Sequence, residues 1–217
     1  MDIRVVCLDV EGTLTVKDGV SWVAMNDEFG VTQEERKISC ELYRQGKLSY
    51  MDWARESVEI YKERGNPNLR NIKRMLCRDY KYVNMAKEIV AYLKSRYEVI
   101  LISGGVDIAI KHIAEFFEIK NCFCCSKLVF DPCGSLSGVL ATTWSEDDSE
   151  AKIQLLREFC NARSIKIGDC ACVGDGPNDY VLFKETGRGI TFESAKKEYR
   201  DLAWKIVPAL GEIMNIL

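Results

Sequence analysis

Three short apolar runs in this chain each end in a polar or glycine-rich turn at which reactive side chains collect. Residues 3–8 lead into Asp9, residues 97–102 into Ser103-Gly104-Gly105, and residues 169–173 into Gly174-Asp175-Gly176. Runs this short and this uniformly apolar fit strands buried on both faces, as in parallel sheets. After the second and third runs, residues 106–117 and 178–185 carry apolar positions at helical spacing. Strand, turn and helix repeated in this way predict an open α/β sheet with right-handed crossovers. Sheets of that kind take ligands at the carboxyl ends of their strands, which is where the unusual residues of this chain lie.

Between the first and second runs the character changes. Residues 16–81 are rich in charge and aromatics and poor in strand-like stretches. They read as a helical insertion with helices over 20–29, 32–45, 49–64 and 68–76, broken at Gly46 and at Gly65-Asn66-Pro67. A helix over 84–96 then feeds the second strand. Residues 127–130 and 136–142, around Asp131-Pro132-Cys133-Gly134, predict a hairpin. The expected organisation is a core of residues 1–15 and 82–217 with the insertion at 16–81. A chain of 217 residues, 47% of them hydrophobic, suffices for that core and insertion but not for a multidomain array.

A formal charge of −3 supplies no basic field for nucleic acid or an anionic membrane surface, and no apolar stretch approaches the roughly 20 residues that span a bilayer. Neither is expected as a partner. The N-terminus reads directly into a strand rather than a basic-then-apolar leader, so a cytoplasmic location and reduced thiols are expected for the ten cysteines. The cluster Cys122, Cys124, Cys125 and Cys133 lacks the spaced pairs of structural zinc sites, because adjacent residues of a strand face opposite ways. The one histidine, His112, shares a polar helix face with Lys111, Glu115 and Glu118 and reads as a surface residue, which leaves Ser-His-Asp and HExxH chemistry without support.

Taken singly, Asp9, Ser103, Lys152 and the aspartates of Gly174-Asp175-Gly176-Pro177-Asn178-Asp179 are ordinary caps, turn formers or surface charges. Taken together they describe a site for a metal-bound phosphate. Asp9 and Asp175 would repel one another unless a hard cation such as Mg²⁺ sat between them. Ser103 with the amides of Gly104 and Gly105, read as the opening of a helix, offers donors to an anion. Lys152, early in a helix over 149–160, opposes the helix dipole unless a negative group faces it.

These four segments, in this order, resemble the haloacid dehalogenase superfamily and its phosphoserine-phosphatase-like branch. The likeness rests on Asp9-Val10-Glu11-Gly12-Thr13-Leu14-Thr15 after an apolar strand, Ile102-Ser103-Gly104-Gly105, and Gly174 to Asp179 with Lys152 placed 23 residues before Asp175. It implies a Rossmann-like core with a small helical cap, and two-step phosphoryl transfer. Asp9 would be the nucleophile and Glu11 the acid and base, with Ser103 and Lys152 on the phosphoryl oxygens. Asp9, the Glu11 carbonyl, Asp175 and Asp179 would serve Mg²⁺, while Gly104, Gly105 and Asn178 would lie beside the phosphate.

Two departures accompany the resemblance. Glu11 stands where most phosphatases of the superfamily have aspartate. In the cap, Asp18 falls at the position that holds a substrate amine and Tyr50 at an aromatic one, but Ser57 replaces the arginine that holds a carboxylate; Arg55 lies two residues away. The expected function is hydrolysis of a small phosphorylated metabolite, with phosphoserine one candidate. A phosphotransferase passing phosphate from Asp9 to an alcohol, and a phosphate-sensing module, are the alternatives. Exposed aromatics on the insertion leave a homodimer open.

Overall fold

The computed structural model describes residues 2–16, 21–65, 67–77 and 80–217. Its centre is a seven-stranded sheet, mostly parallel, in the order β4-β3-β2-β1-β5-β6-β7. The strands are β1 (Val5–Leu8), β2 (Glu98–Val106), β3 (Asn121–Phe130), β4 (Leu136–Ala141), β5 (Cys170–Val173), β6 (Gly189–Phe192) and β7 (Lys205–Val207). β1 lies between β2 and β5, with Leu8 opposite Leu101 on one side and Val173 on the other. Three strand ends are thereby level, and Asp9, Ser103 and Asp175 emerge beside one another. β4 is the antiparallel edge and closes the predicted hairpin with β3.

Alternation along the central strands divides the core. Val6 and Leu8 face one cluster, while Val5 and Cys7 face a second, as the two-residue period of a strand requires. The second cluster packs against α7 (Asp148–Ala162) and α8 (Tyr180–Thr186). The first is covered by α5 (Ala86–Lys94) and α6 (Asp107–Phe116) and continues into the helices that follow β1.

Those helices are α1 (Ser21–Glu28), α2 (Gln33–Arg44), α3 (Tyr50–Gly65) and α4 (Leu69–Leu76), close to the four predicted from the sequence. α2 starts with a capping box, in which the Thr32 hydroxyl accepts from the Glu35 amide and the Glu35 carboxylate accepts from the Thr32 amide. Ile72 and Leu76, four apart on α4, are fully buried, and each such side chain contributes about 1.5–3 kcal/mol of apolar burial. At the base of the segment the chain pairs with itself: the Val16 amide donates to the Lys81 carbonyl at 2.9 Å and the Val83 amide to Leu14 at 3.0 Å.

The strand that ends in Ser103 differs from expectation. Rather than opening a helix at Ser103, β2 continues to Val106, and α6 begins at Asp107. Ser103 pairs with Cys124 and Val106 with Ser126, so Gly104 and Gly105 together stand opposite one residue of β3. That is a bulge, which bends a strand and re-aims its groups. In β3, Cys125 is buried while Cys124 is half-buried, and all ten cysteines are free thiols. His112 is half-buried, its ring 6.3 Å from that of Tyr80. Among the described residues, no helix is long and apolar enough to cross a membrane.

Candidate active site

The site is organised by one buried ammonium. Lys152, wholly inaccessible, projects from α7 to the end of β1, where its Nζ donates to Asp9 Oδ1 at 2.8 Å, to Asp179 Oδ1 at 2.7 Å and to Asn178 Oδ1 at 3.1 Å. Burying an ammonium is costly unless it is paired and hydrogen-bonded, and here all three of its donors are used. The Asp9 and Asp179 carboxylates hold its pKa well above the usual lysine value, outweighing burial. Burial pushes Asp9 up, and the charge of Asp175 adds to it against the opposing pull of Lys152. Burial likewise raises Asp179, to about 6.

Asp9, Asp175 and Asp179 each bring a carboxylate oxygen within 4.8 Å of the others. When ionised, these three carboxylates and the Lys152 ammonium together sum to a charge of about −2. An all-oxygen donor set with that residual charge suits a hard divalent cation. The backbone is shaped for it: a Cβ on Gly174 would stand 2.3 Å from the Asp179 carboxyl carbon, and one on Gly12 would stand 2.6 Å from Asp175 Oδ1. Gly12 also has φ +98°, which L side chains rarely adopt.

Glu11 sits across from this cluster. Its Oε1 accepts from the Ser21 amide at the start of α1, and a Cβ on Gly105 would fall 2.7 Å from its carboxyl carbon. The bulge glycine therefore makes room for the longer acid. Burial raises the Glu11 pKa, with the Ser21 contacts opposing. The Ser103 hydroxyl, also buried, accepts from the Gly105 amide at 3.1 Å. The Gly104 carbonyl accepts from the Tyr50 hydroxyl at 2.6 Å and from the Trp22 indole at 3.3 Å.

A cavity of about 390 Å³ opens from Asp9, Glu11, Ser103 and Asp175 towards α1, α2 and α3. Asn178, Gly104 and Tyr50 line it too. Asp18 lies outside the described residues. Ser57 faces the cavity, but its hydroxyl donates to the Trp53 carbonyl at 2.8 Å. Arg55 does not line it; the guanidinium is bidentate on Glu146 at 2.6 and 2.7 Å at the surface.

Residues 6–184 match the haloacid dehalogenase-like hydrolase family. The chain belongs to that family. Within it, the chain is a phosphoserine-phosphatase-like enzyme of the phosphatase type, as a relative and two solved structures indicate. It is 30% identical over 191 residues to a phosphoserine phosphatase of Methanocaldococcus jannaschii, an alignment covering 87% of this chain and 85% of that protein. A structure described as the phospho-aspartyl intermediate analogue of phosphoserine phosphatase superposes with a TM-score of 0.79 at 26% identity, covering 100% of both chains. A substrate-bound phosphoserine phosphatase complex gives 0.79 at 25% identity, over 100% of this chain and 99% of that one.

Among the residues of this haloacid dehalogenase-like site that the sequence reading did not single out are Asp148 and Tyr43. Asp148, buried at the first turn of α7, accepts from Asn178 Nδ2 at 2.6 Å through Oδ2 and from the Tyr43 hydroxyl at 2.6 Å through Oδ1. Within Asp147-Asp148-Ser149-Glu150 it is indistinguishable from an N-cap acid, and Asp147 is in fact the cap, accepting from the amides of Ser149 and Glu150. The signal that was present is distance: Asp148 precedes Lys152 by four residues and so shares its helix face.

Proposed function

We propose that this chain is a Mg²⁺-dependent phosphomonoester hydrolase that works through a phosphorylated Asp9. The observation that carries the reading is Asp9 itself: buried at the end of β1, held through one oxygen by Lys152, and within reach of two further carboxylates. Lys152 fixes Oδ1, which leaves Oδ2 to attack phosphorus in line. As the bond from phosphorus to the alcohol oxygen breaks, the Glu11 carboxyl, whose raised pKa suits an acid, gives its proton to that oxygen. In the second step the Glu11 carboxylate takes a proton from water, which attacks the phosphorus of the acyl phosphate. Phosphate leaves and Asp9 is regenerated.

Asp9, Asp175 and Asp179 would hold Mg²⁺, which when bound would neutralise charge on the transferring phosphoryl oxygens. Ser103 and the bulge at Gly104 and Gly105 receive those oxygens, and Asn178 keeps Lys152 aligned. Residues 16–81 act as the cap over a core of 1–15 and 82–217. Their aromatic lining excludes water, while a small phosphorylated metabolite enters beneath them. The acidic charge balance and free thiols support a cytoplasmic setting.

The test is phosphate release from a panel of small phosphomonoesters, with and without Mg²⁺, for wild type and Asp9→Asn. Turnover that requires both the metal and Asp9 is expected, with Asp9→Asn reducing it at least about 10³-fold. Turnover that survives the substitution would overturn the role of Asp9. New phosphoesters formed on adding alcohols would assign the enzyme to phosphotransfer.

A further inference from the structure

We propose that the alcohol half of the natural substrate carries an ammonium and no carboxylate. This rests on the phosphomonoesterase reading and concerns the part of the cavity that the phosphate does not fill. At about 390 Å³ the cavity lies within the range of about 300–1,000 Å³ typical of small-molecule sites, so the leaving group has room to be recognised.

Its wall is aromatic. Trp22 and Tyr50 both direct their polar ends to the Gly104 carbonyl, and Tyr50 is further held by Ser126 at 3.0 Å. Their heads are therefore fixed at the phosphate end, and the leaving alcohol meets ring surface next. Trp22 and Trp53 form a corner, with centroids 5.0 Å apart and planes at 66°. Ring faces of this kind carry the negative lobe of the quadrupole and attract ammonium groups.

The charges around the wall agree. Arg36 lines the cavity, but its charge is already compensated by Asp27, to which Nη2 donates at 2.6 Å, while Nε donates to the Val31 carbonyl at 2.9 Å. Arg55 is committed to Glu146, and the residue at 57 is a serine with its hydroxyl engaged. A substrate carboxylate thus finds, among the described residues of the wall, no cation that lacks a carboxylate partner. On the acidic side, Glu35 is neutralised by Arg64, whereas Glu56 lines the cavity and, among the described residues, makes no hydrogen bond or ion pair. Among the described residues of the wall, the charge left without a partner beyond the phosphate end is that of Glu56, a negative one on the solvent-exposed side of α3.

The experiment compares kcat/KM for phosphocholine, phosphoethanolamine, phosphoserine and phenyl phosphate in the presence of Mg²⁺. A cationic ester is expected to exceed both phosphoserine and phenyl phosphate by about tenfold, and Glu56→Gln to reduce that preference by about threefold through KM. A preference for phosphoserine, or for phenyl phosphate with no response to Glu56→Gln, would overturn the proposal while leaving the phosphatase reading intact. Should no ester turn over, that reading fails separately, and titration with choline decides the pocket. Quenching of tryptophan fluorescence that Trp53→Leu weakens would support the proposal, and its absence would overturn it.

Discussion

The Tyr43 hydroxyl donates to Asp148 at 2.6 Å, joining a helix of the inserted segment to the helix that carries Lys152. Burial, followed by the charge of Asp148, holds the Tyr43 phenol well above its ordinary pKa, so it remains a donor throughout the working range. Because Asp148 also accepts from Asn178, and Asn178 accepts from Lys152, the contact extends in three hydrogen bonds to the ammonium beside Asp9.

Tyr43→Phe removes the donor and leaves one oxygen of a buried carboxylate unpaired. A hydrogen bond to a charged group is worth about 1.5–3 kcal/mol, and the variant should lose about that much stability in urea unfolding. If the chain of contacts also positions the site, steady-state kinetics will show kcat falling while KM changes less.

Lys152→Met leaves Asp9 and Asp179 buried without their cation. Breaking a buried ion pair on one side costs about 3–5 kcal/mol. The variant should be inactive and destabilised, and its unfolding midpoint should rise more steeply with added Mg²⁺ than that of wild type, as differential scanning fluorimetry will report.

Gly105→Ala places a methyl 2.7 Å from the Glu11 carboxyl group. The acid has to move, and since general acid–base catalysis is worth about 10²–10⁴-fold, turnover should fall within that range. Glu11→Gln should fall as far while leaving Mg²⁺ affinity unchanged by calorimetry. An active Glu11→Gln enzyme would remove Glu11 from the proton transfers.

The raised carboxyls make a pH prediction for metal-free protein. Asp179, at about 6, binds a proton in the folded state at pH values where the unfolded carboxyl has lost it. Folding is then linked to proton uptake, so this contribution to stability is complete below pH ~4 and is lost as pH rises through about 6. Asp9 is raised as well and acts in the same direction. The melting temperature in EDTA should therefore decline across that window, and saturating Mg²⁺ should flatten the decline.

Much of this site was readable in the chain because its parts follow apolar strands too short to be anything else. Asp9, Ser103 and Asp175 stand together since β1 lies between β2 and β5, an adjacency that strand, turn and helix order makes expected. The bulge at Gly104 and Gly105 was not readable, because two glycines fit a helix start as well as an interrupted ladder and only the register against Cys124 and Ser126 separates them. Tyr43 and Asp148 are 105 residues apart, and no local pattern links them. The use of Arg55 was equally hidden: its partner Glu146 lies beyond the hairpin.

The inserted helices are attached unevenly. On the α3 and α4 side the backbone itself makes the connection: Leu69 donates to the Gly134 carbonyl at 2.8 Å, Leu136 to Pro67 at 2.8 Å and Met51 to Glu146 at 3.1 Å. On the α2 side the described link to α7 is a single side-chain bond, that of Tyr43. Opening energies differ accordingly across a native structure. If the helices over Asp9 open, the α2 end is expected to swing away while the hairpin side stays hinged, so amides of α2 should exchange with solvent sooner than those of α4 in hydrogen–deuterium exchange.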